Sequence, residues 1–232
     1  MSDQVPVYPK KSPEDYIHDL LKFGLSCASG PGGELFSTAF PSPIVEKQKK
    51  WMSELIGKIN KVIDDIDCLK NNMVFMSAII TALQTVAKTN KQEKLDALKN
   101  ALVNIAKGDF PEEDLNTVFF SAIDSFSSWH LLALKIEDNP KEWFELNEIP
   151  FPISDNSGFF SRELFLGKAG IIDVNQGYDV ESVLKKIVAD LILGGFIQES
   201  VVGAIGELHN KPQTTIFGKD FLRFIKDSDS TK

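Results

Sequence analysis

Apolar residues that recur at steps of three and four constrain this chain more than any other feature. Between Val45 and Ile66 charged residues such as Glu54 and Lys58 separate the apolar ones. This spacing is typical of an amphipathic helix that buries one face in a core. The chain is therefore predicted to fold mainly into helices. The apolar positions of this stretch are Met52, Leu55, Ile56, Ile59, Val62, Ile63 and Ile66.

The helical pattern continues through the first half of the chain. Residues 73–87 are apolar almost all round, which indicates a central helix. A narrower apolar stripe follows, and Gly108 is a good helix stop. Pro111, with three acidic residues after it, predicts the start of the next helix. A serine cap, Ser127 or Ser128, predicts one more helix that ends before Pro140.

The pattern changes after Pro140, where residues 147–160 are loop-like. A helix over 178–193, two β-prone pieces at 196–202 and 214–217, and a closing helix follow. This order suits a winged helix-turn-helix. The predicted fold is mostly α, an N-terminal helical bundle with a C-terminal winged-helix-like module that contains a small β-hairpin. The predicted organisation is a mobile tail (1–13), a helical domain (14–126), the winged-helix-like module (127–226) and a disordered tail (227–232).

Composition predicts a soluble globular protein of the cytoplasm. Of the 232 residues, 43% are hydrophobic and 25% are charged. The longest apolar run is too short to span a bilayer, and the first residues lack the apolar segment of a signal peptide. The two cysteines, Cys27 and Cys68, are predicted to be reduced thiols.

The net charge of -8 disfavours generic nucleic-acid binding. Residues 158–232 carry nine Lys and Arg against ten Asp and Glu, so most of the acidity lies earlier in the chain. A winged helix would place residues 179–193 in the major groove, where Asp179 and Glu181 oppose phosphate. A DNA-binding regulator is therefore an alternative function, and its predicted contacts are Lys185, Lys186, Lys211, Lys219 and Arg223.

The reactive residue types form no catalytic or metal-binding pattern in the sequence. Histidine occurs at positions 18, 130 and 209, without metal-ligand spacing. His130 lies near a helix start and is interpreted as a packing or capping residue. The glycine-rich residues 30–33 follow no predicted strand and precede no GK[ST] motif. No catalytic, cofactor or metal site is predicted, and the protein is not expected to be an enzyme.

Residues 23–51 combine an apolar, interrupted stretch with lysines and a tryptophan. Such a segment can lie at a membrane interface, which makes a membrane-active effector a further alternative. The competing interpretation is a buried helical hairpin beside a solvated charge run. The predicted membrane contacts are Phe36, Phe40, Lys47, Lys49, Lys50 and Trp51.

Three stretches resemble a widespread set of bacterial proteins of unknown function. They are SGPGGELFSTAFPSPIVEKQKKWMSEL, TNKQEKLDALKNALVNIAKGDFPEEDLNTVFFSAIDSFSSWHLLALKIEDNP and TTIFGKDFLRFI. The layout is also similar to that of the Abi-alpha (abortive-infection helical) domains, which are associated with phage defence. The resemblance implies a bacterial helical protein with a role in phage defence or stress. The leading hypothesis is a nonenzymatic interaction protein whose partner is either an unknown protein or a second copy of itself.

Overall fold

Helices make up most of the structure, a computed structural model that describes residues 43–63, 66–110, 112–148, 179–198 and 212–227. These residues form eight α-helices, and the β-pairing among them is limited to one isolated antiparallel bridge between Ile197 and Thr214. The mostly-α prediction is confirmed. The predicted tails, 1–13 and all but Asp227 of 227–232, lie outside the described residues.

In chain order the helices are α1 (Pro43–Ile59), α2 (Met73–Lys88), α3 (Gln92–Ala106), α4 (Glu113–Ser125), α5 (Ser128–Asp138), α6 (Pro140–Leu146), α7 (Val180–Leu193) and α8 (Ile216–Phe224). A 3-10 helix, Ile66–Asn71, lies between α1 and α2. The described residues fall into two compact units. The first unit runs to Asp124 and includes Asp227, and the second unit is Ser125–Lys226.

The first unit is built on helices α1, α2 and α3, each of which packs against the other two. The apolar stripe predicted for α1 is buried, with Met52, Leu55, Ile56 and Ile59 almost wholly removed from solvent. Asn72 caps α2, because its Oδ1 accepts the backbone N–H of Phe75 at 3.1 Å. An interior of aliphatic side chains and aromatic rings such as Phe75 thus holds this unit together.

The second unit is arranged around α5, which packs against α6, α7 and α8. Its interior combines aliphatic side chains with a cluster of phenylalanine rings. The ring of Phe126 meets those of Phe196 and Phe221 edge to face, with centroids 5.1 Å and 6.3 Å apart. Phe196 and Phe221 are also 5.1 Å apart and edge to face. Such pairs stabilise a core beyond the area they bury.

The predicted strand at 214–217 is wrong, because helix α8 already begins at Ile216. Thr215 is its N-cap, and its Oγ1 accepts the backbone N–H of Gly218 at 2.9 Å. Thr214 pairs only with Ile197, from the other predicted strand, and residues 199–211 lie outside the described ones. The hairpin of a winged helix is therefore reduced to a single bridge among the described residues.

Helix α8 lies so close to the residue that precedes the bridge that only glycine fits at position 218. A Cβ there would lie 2.0 Å from the carbonyl oxygen of Phe196. Thr215 reinforces the approach, since its N–H donates to the same oxygen at 3.0 Å. Backbone contact therefore fixes the start of α8.

Helix α6 occupies Pro140–Leu146, for which the sequence pattern predicts no helix or strand. Pro140 ends α5, as predicted, but it also stands in the first turn of α6, where its fixed φ is compatible with a helix. Asn139 caps this helix through its side chain. The predicted loop-like stretch, 147–160, begins directly after this helix, and beyond residue 148 it lies outside the described residues.

Candidate functional site

His130 joins the start of α5 to α7. Its Nδ1 accepts the backbone N–H of Ser127 at 3.2 Å and lies 2.8 Å from the Ser127 Oγ. Its Nε2 lies 3.3 Å from Oδ2 of Asp190. Because Nδ1 accepts from the backbone, we assign the proton to Nε2, which then donates to Asp190. The ring also stacks on Phe126, with centroids 5.0 Å apart.

Asp190 is the acidic partner in this contact, and it also accepts a hydrogen bond from Lys186 one helical turn earlier. That bond from Lys186 lowers the pKa of Asp190, and the bond from His130 lowers it further. Partial burial opposes both effects by raising the pKa, but it does not outweigh them. Asp190 is therefore an ionised anchor that holds His130 against α7.

A serine, an imidazole and a carboxylate in hydrogen-bonding order also occur in nucleophilic catalysis. Here, however, the accepting nitrogen of His130 already binds the backbone N–H of Ser127 itself. The three groups thus close the first turn of α5 and tie it to α7. The capping interpretation of His130 is confirmed. The sequence does not reveal the contact with Asp190, which lies 60 positions away.

Two lysines of the first unit point inward and serve its structure. The Nζ of Lys47 donates to the carbonyl oxygens of Ala87 and Thr89, at 3.2 and 3.1 Å, and so caps the end of α2. The Nζ of Lys94 donates to the backbone oxygen of Asp124 at 2.9 Å. Burial lowers the pKa of Lys94, which the nearby Asp124 carboxylate partly offsets.

Lys99 is a buried lysine of the first unit with two acidic partners. Its side chain is only 7% exposed and lies 2.7 Å from Glu54 and 2.9 Å from Asp96. Burial by itself would lower the pKa of Lys99, but the hydrogen bonds to Glu54 and Asp96 outweigh it and raise the pKa. The charged form therefore links α3 to α1.

The predicted membrane contacts do not share an outer surface. Trp51 is 3% exposed, and its Nε1 donates to the Leu95 carbonyl at 3.0 Å, so it belongs to the core of the first unit. Lys47 caps α2, and Lys49 pairs with Glu46 on the surface. A folded first unit thus cannot offer Trp51 to a bilayer, and this part of the prediction is corrected.

Other parts of that prediction have different outcomes. Lys50 is exposed, whereas Phe36 and Phe40 lie outside the described residues. No helix in the part of the chain that the structure describes is long and apolar enough to cross a membrane.

Four of the five predicted DNA contacts are exposed on helices, and the fifth, Lys211, lies outside the described residues. Two of the four have acidic neighbours on the same helix. Lys186 binds Asp190, and Arg223 lies 3.2 Å from Asp220. The exposed residues are Lys185 and Lys186 on α7 and Lys219 and Arg223 on α8.

The outward face of α8, defined as Ile216, Lys219 and Arg223, combines apolar and basic side chains. Ile216 is 83% exposed, although the opposite face of the same helix buries Phe221 and Phe224 completely. The three outward residues follow helical spacing, so they share one side of α8.

The outward face of α6, defined as Glu142, Glu145 and Leu146, has the opposite charge. Leu146 is 75% exposed, while Phe144 is fully buried on the other side of the helix. Sequence reasoning missed this face because it missed the helix.

No family model matches the chain, and no curated protein or solved structure matches it. Within the described ranges, the His, Cys, Asp and Glu side chains form no group of three or more that could hold a metal ion.

Proposed function

We propose that this protein is a nonenzymatic interaction protein that binds a protein partner through the outward face of α8. The observation that carries the proposal is the exposure of Ile216, which is 83% accessible beside two basic side chains. Apolar side chains flanked by basic ones suit a partner surface that is apolar and acidic.

A second exposed aliphatic residue extends this surface. Leu193, at the end of α7, is 84% exposed. The turn that follows it contacts the start of α8, because the Oγ1 of Thr215 donates to the carbonyl of Gly195 at 2.6 Å. A single exposed aliphatic residue is ordinary, but two on either side of one fixed turn favour a binding surface.

Site-specific photo-crosslinking tests this proposal. A photoreactive phenylalanine analogue replaces Ile216 in one variant and Lys135, an exposed residue of α5, in a matched control. In cells, we expect a cross-linked product of discrete mass from position 216 and none from position 135. Equal products at both positions, or none at 216, would contradict a binding function for this face.

The nonenzymatic part of the proposal rests on the hydrogen bonding of His130. Its Nδ1 is engaged by the Ser127 backbone, so the imidazole is poorly placed to take a proton from the Ser127 hydroxyl. We expect a fluorophosphonate probe to leave Ser127 unlabelled, as judged by mass spectrometry of the intact protein. Labelling that disappears in Ser127→Ala would instead support an acyl-transfer enzyme.

A DNA-binding regulator is the second candidate, favoured by the exposure of Lys185 and Lys219 on α7 and α8. Mobility-shift titration with duplex DNA at low and high salt tests it. Binding that weakens with salt and is reduced in Lys185→Gln/Lys219→Gln would support this candidate. An unchanged mobility at low salt would remove it.

A cytoplasmic role in bacterial phage defence is proposed from the resemblance to Abi-alpha domains. If the outward face of α8 serves that role, Ile216→Asp should abolish protection in a plaque assay, because a carboxylate would replace the exposed apolar contact. Lys135→Asp, a matched exposed control, should retain protection. Equal protection by both variants would show that phage defence does not depend on the outward face of α8.

A further inference from the structure

We propose that the partner of the α8 outward face is the α6 outward face of a second copy of this chain. This inference rests on the proposed interaction function and adds the identity of the partner. Both faces belong to the second unit, and each carries one strongly exposed aliphatic side chain. Their charges are opposite.

The two faces match residue by residue. Ile216 of one copy can cover Leu146 of the other, which would remove both aliphatic side chains from water. One turn further along α8, Lys219 would meet Glu145 or Glu142. A helical turn rises about 5.4 Å, so an apolar contact and an ion pair one turn away can form together.

Arg223 adds a second basic side chain to the outward face of α8. Its guanidinium lies 3.2 Å from Asp220, which stands at the edge of the outward face. Both side chains of this pair are substantially exposed, so the pair is weak and Arg223 can also reach a partner carboxylate. The outward face of α6 supplies two such carboxylates, on Glu142 and Glu145.

Reciprocity makes a twofold dimer the expected assembly. When α8 of the first copy binds α6 of the second, a twofold axis places α8 of the second on α6 of the first. Each contact alone is small, whereas a stable interface needs roughly 800 Å² from each partner. The doubled contact is therefore expected to give a weak dimer, and salt should weaken it further.

Charge reversal in full-length chains tests the pairing by analytical ultracentrifugation over a range of concentrations. The α8 variant is Lys219→Glu/Arg223→Glu, and the α6 variant is Glu142→Lys/Glu145→Lys. We expect the wild type to form a dimer as concentration rises and each variant alone to remain a monomer. A mixture of the two variants should form a heterodimer, because both of its contacts then join opposite charges.

The control variant, Lys135→Glu/Lys185→Glu, changes the same amount of charge at exposed sites elsewhere in the second unit and should dimerise like the wild type. Circular dichroism checks that every variant stays helical. A monomeric wild type at all concentrations, or a variant mixture that stays monomeric, would overturn the inference.

The outcomes also separate this inference from the proposed function. A cross-link from position 216 to another protein, in a chain that stays monomeric, would reject self-association and retain the interaction function. A monomeric chain without any cross-link at position 216 would reject both.

Discussion

Lysine has opposite roles in the two units. In the first unit, the Lys94 and Lys99 side chains are buried, and Lys47 donates to the last carbonyls of α2. In the second unit, Lys185 and Lys219 are exposed. Lys47, Lys94 and Lys99 therefore reinforce helix packing in the first unit, whereas Lys185 and Lys219 lie on the surface of the second.

The difference does not come from the type of interior, because both units bury aliphatic side chains together with phenylalanine rings. In the first unit, lysine stems lie along the flanks of packed helices, and their ammonium groups reach carbonyl and carboxylate oxygens. On α7 and α8, the side chains of Lys185 and Lys219 remain exposed to water.

The largest expected effect tests whether the aromatic cluster stabilises only the second unit. Phe221→Ala removes a fully buried ring that contacts Phe126 and Phe196, and should cost about 3–5 kcal/mol of unfolding free energy. Hydrogen exchange should show lost protection in α5, α7 and α8, and retained protection in α1–α3. An equal loss of hydrogen-exchange protection in both units would show that the aromatic cluster does not stabilise the second unit alone. Phe217→Ala, at a half-buried ring, should have a smaller effect.

The next effect compares two helical glycines, one from each unit. Gly218→Ala places a methyl group against the Phe196 carbonyl and should cost about 1–3 kcal/mol, measured by urea denaturation. Gly57→Ala, in α1, meets no atom within 4 Å and should stabilise by about 0.5–1 kcal/mol. Similar midpoints for the two variants would contradict the close approach of α8.

An inward and an outward lysine can be compared directly. Lys99→Met removes the bonds to Glu54 and Asp96 and should cost about 1–2 kcal/mol at neutral pH. Lys219→Met, on the exposed face of α8, should change stability by less than about 0.5 kcal/mol. Equal losses in urea denaturation would show that the outward lysine is structural too.

The free energy of unfolding at alkaline pH gives a second test of the ion pairs of Lys99. Its pKa is raised in the folded state by Glu54 and Asp96, which outweigh burial. Its contribution is therefore complete below the unfolded pKa of about 10.4 and is lost as pH rises through the folded pKa. In Lys99→Met this part of the alkaline loss should be absent.

The smallest effect concerns the His130 contact at acidic pH. The pKa of Asp190 is lowered, first by Lys186 and then by His130. Its stabilisation is complete above the unfolded pKa of about 3.9 and is lost as pH falls through the lower folded pKa. Asp190→Asn should lower the free energy of unfolding by about 1 kcal/mol at neutral pH. It should also reduce the loss of stability as the pH falls. An unchanged loss at acidic pH would mean that the contact adds no stability, and Glu145→Gln is the exposed control.

Local patterns predicted the helices well where periodicity and caps agree. The buried stripe of α1 and the positive φ of Gly108, 83°, both follow from residue order. Thr214 and Thr215 were misleading, since β-branched residues favour strands but threonine also caps helices. At this site the cap prevails, because Thr215 accepts from Gly218 and donates to Gly195.

The contacts that define the candidate site could be predicted only in part. The exposure of Lys185, Lys219 and Arg223 follows from helical spacing. Contacts between distant positions do not follow from it. Asp190 looks like one more surface acid in the sequence, yet it anchors His130 from 60 positions away. The outward face of α6 was missed because Pro140 signals a helix end and a helix start equally well.

The close approach at Gly218 has an evolutionary consequence. The contact at Gly218 and the Thr215 cap fix where α8 begins, whereas Ile216, Lys219 and Arg223 are exposed on its outward face. Selection can then change the exposed side chains, residue by residue, while the fold stays the same. We expect related chains to keep glycine at this position and to vary most at the positions of Ile216, Lys219 and Arg223.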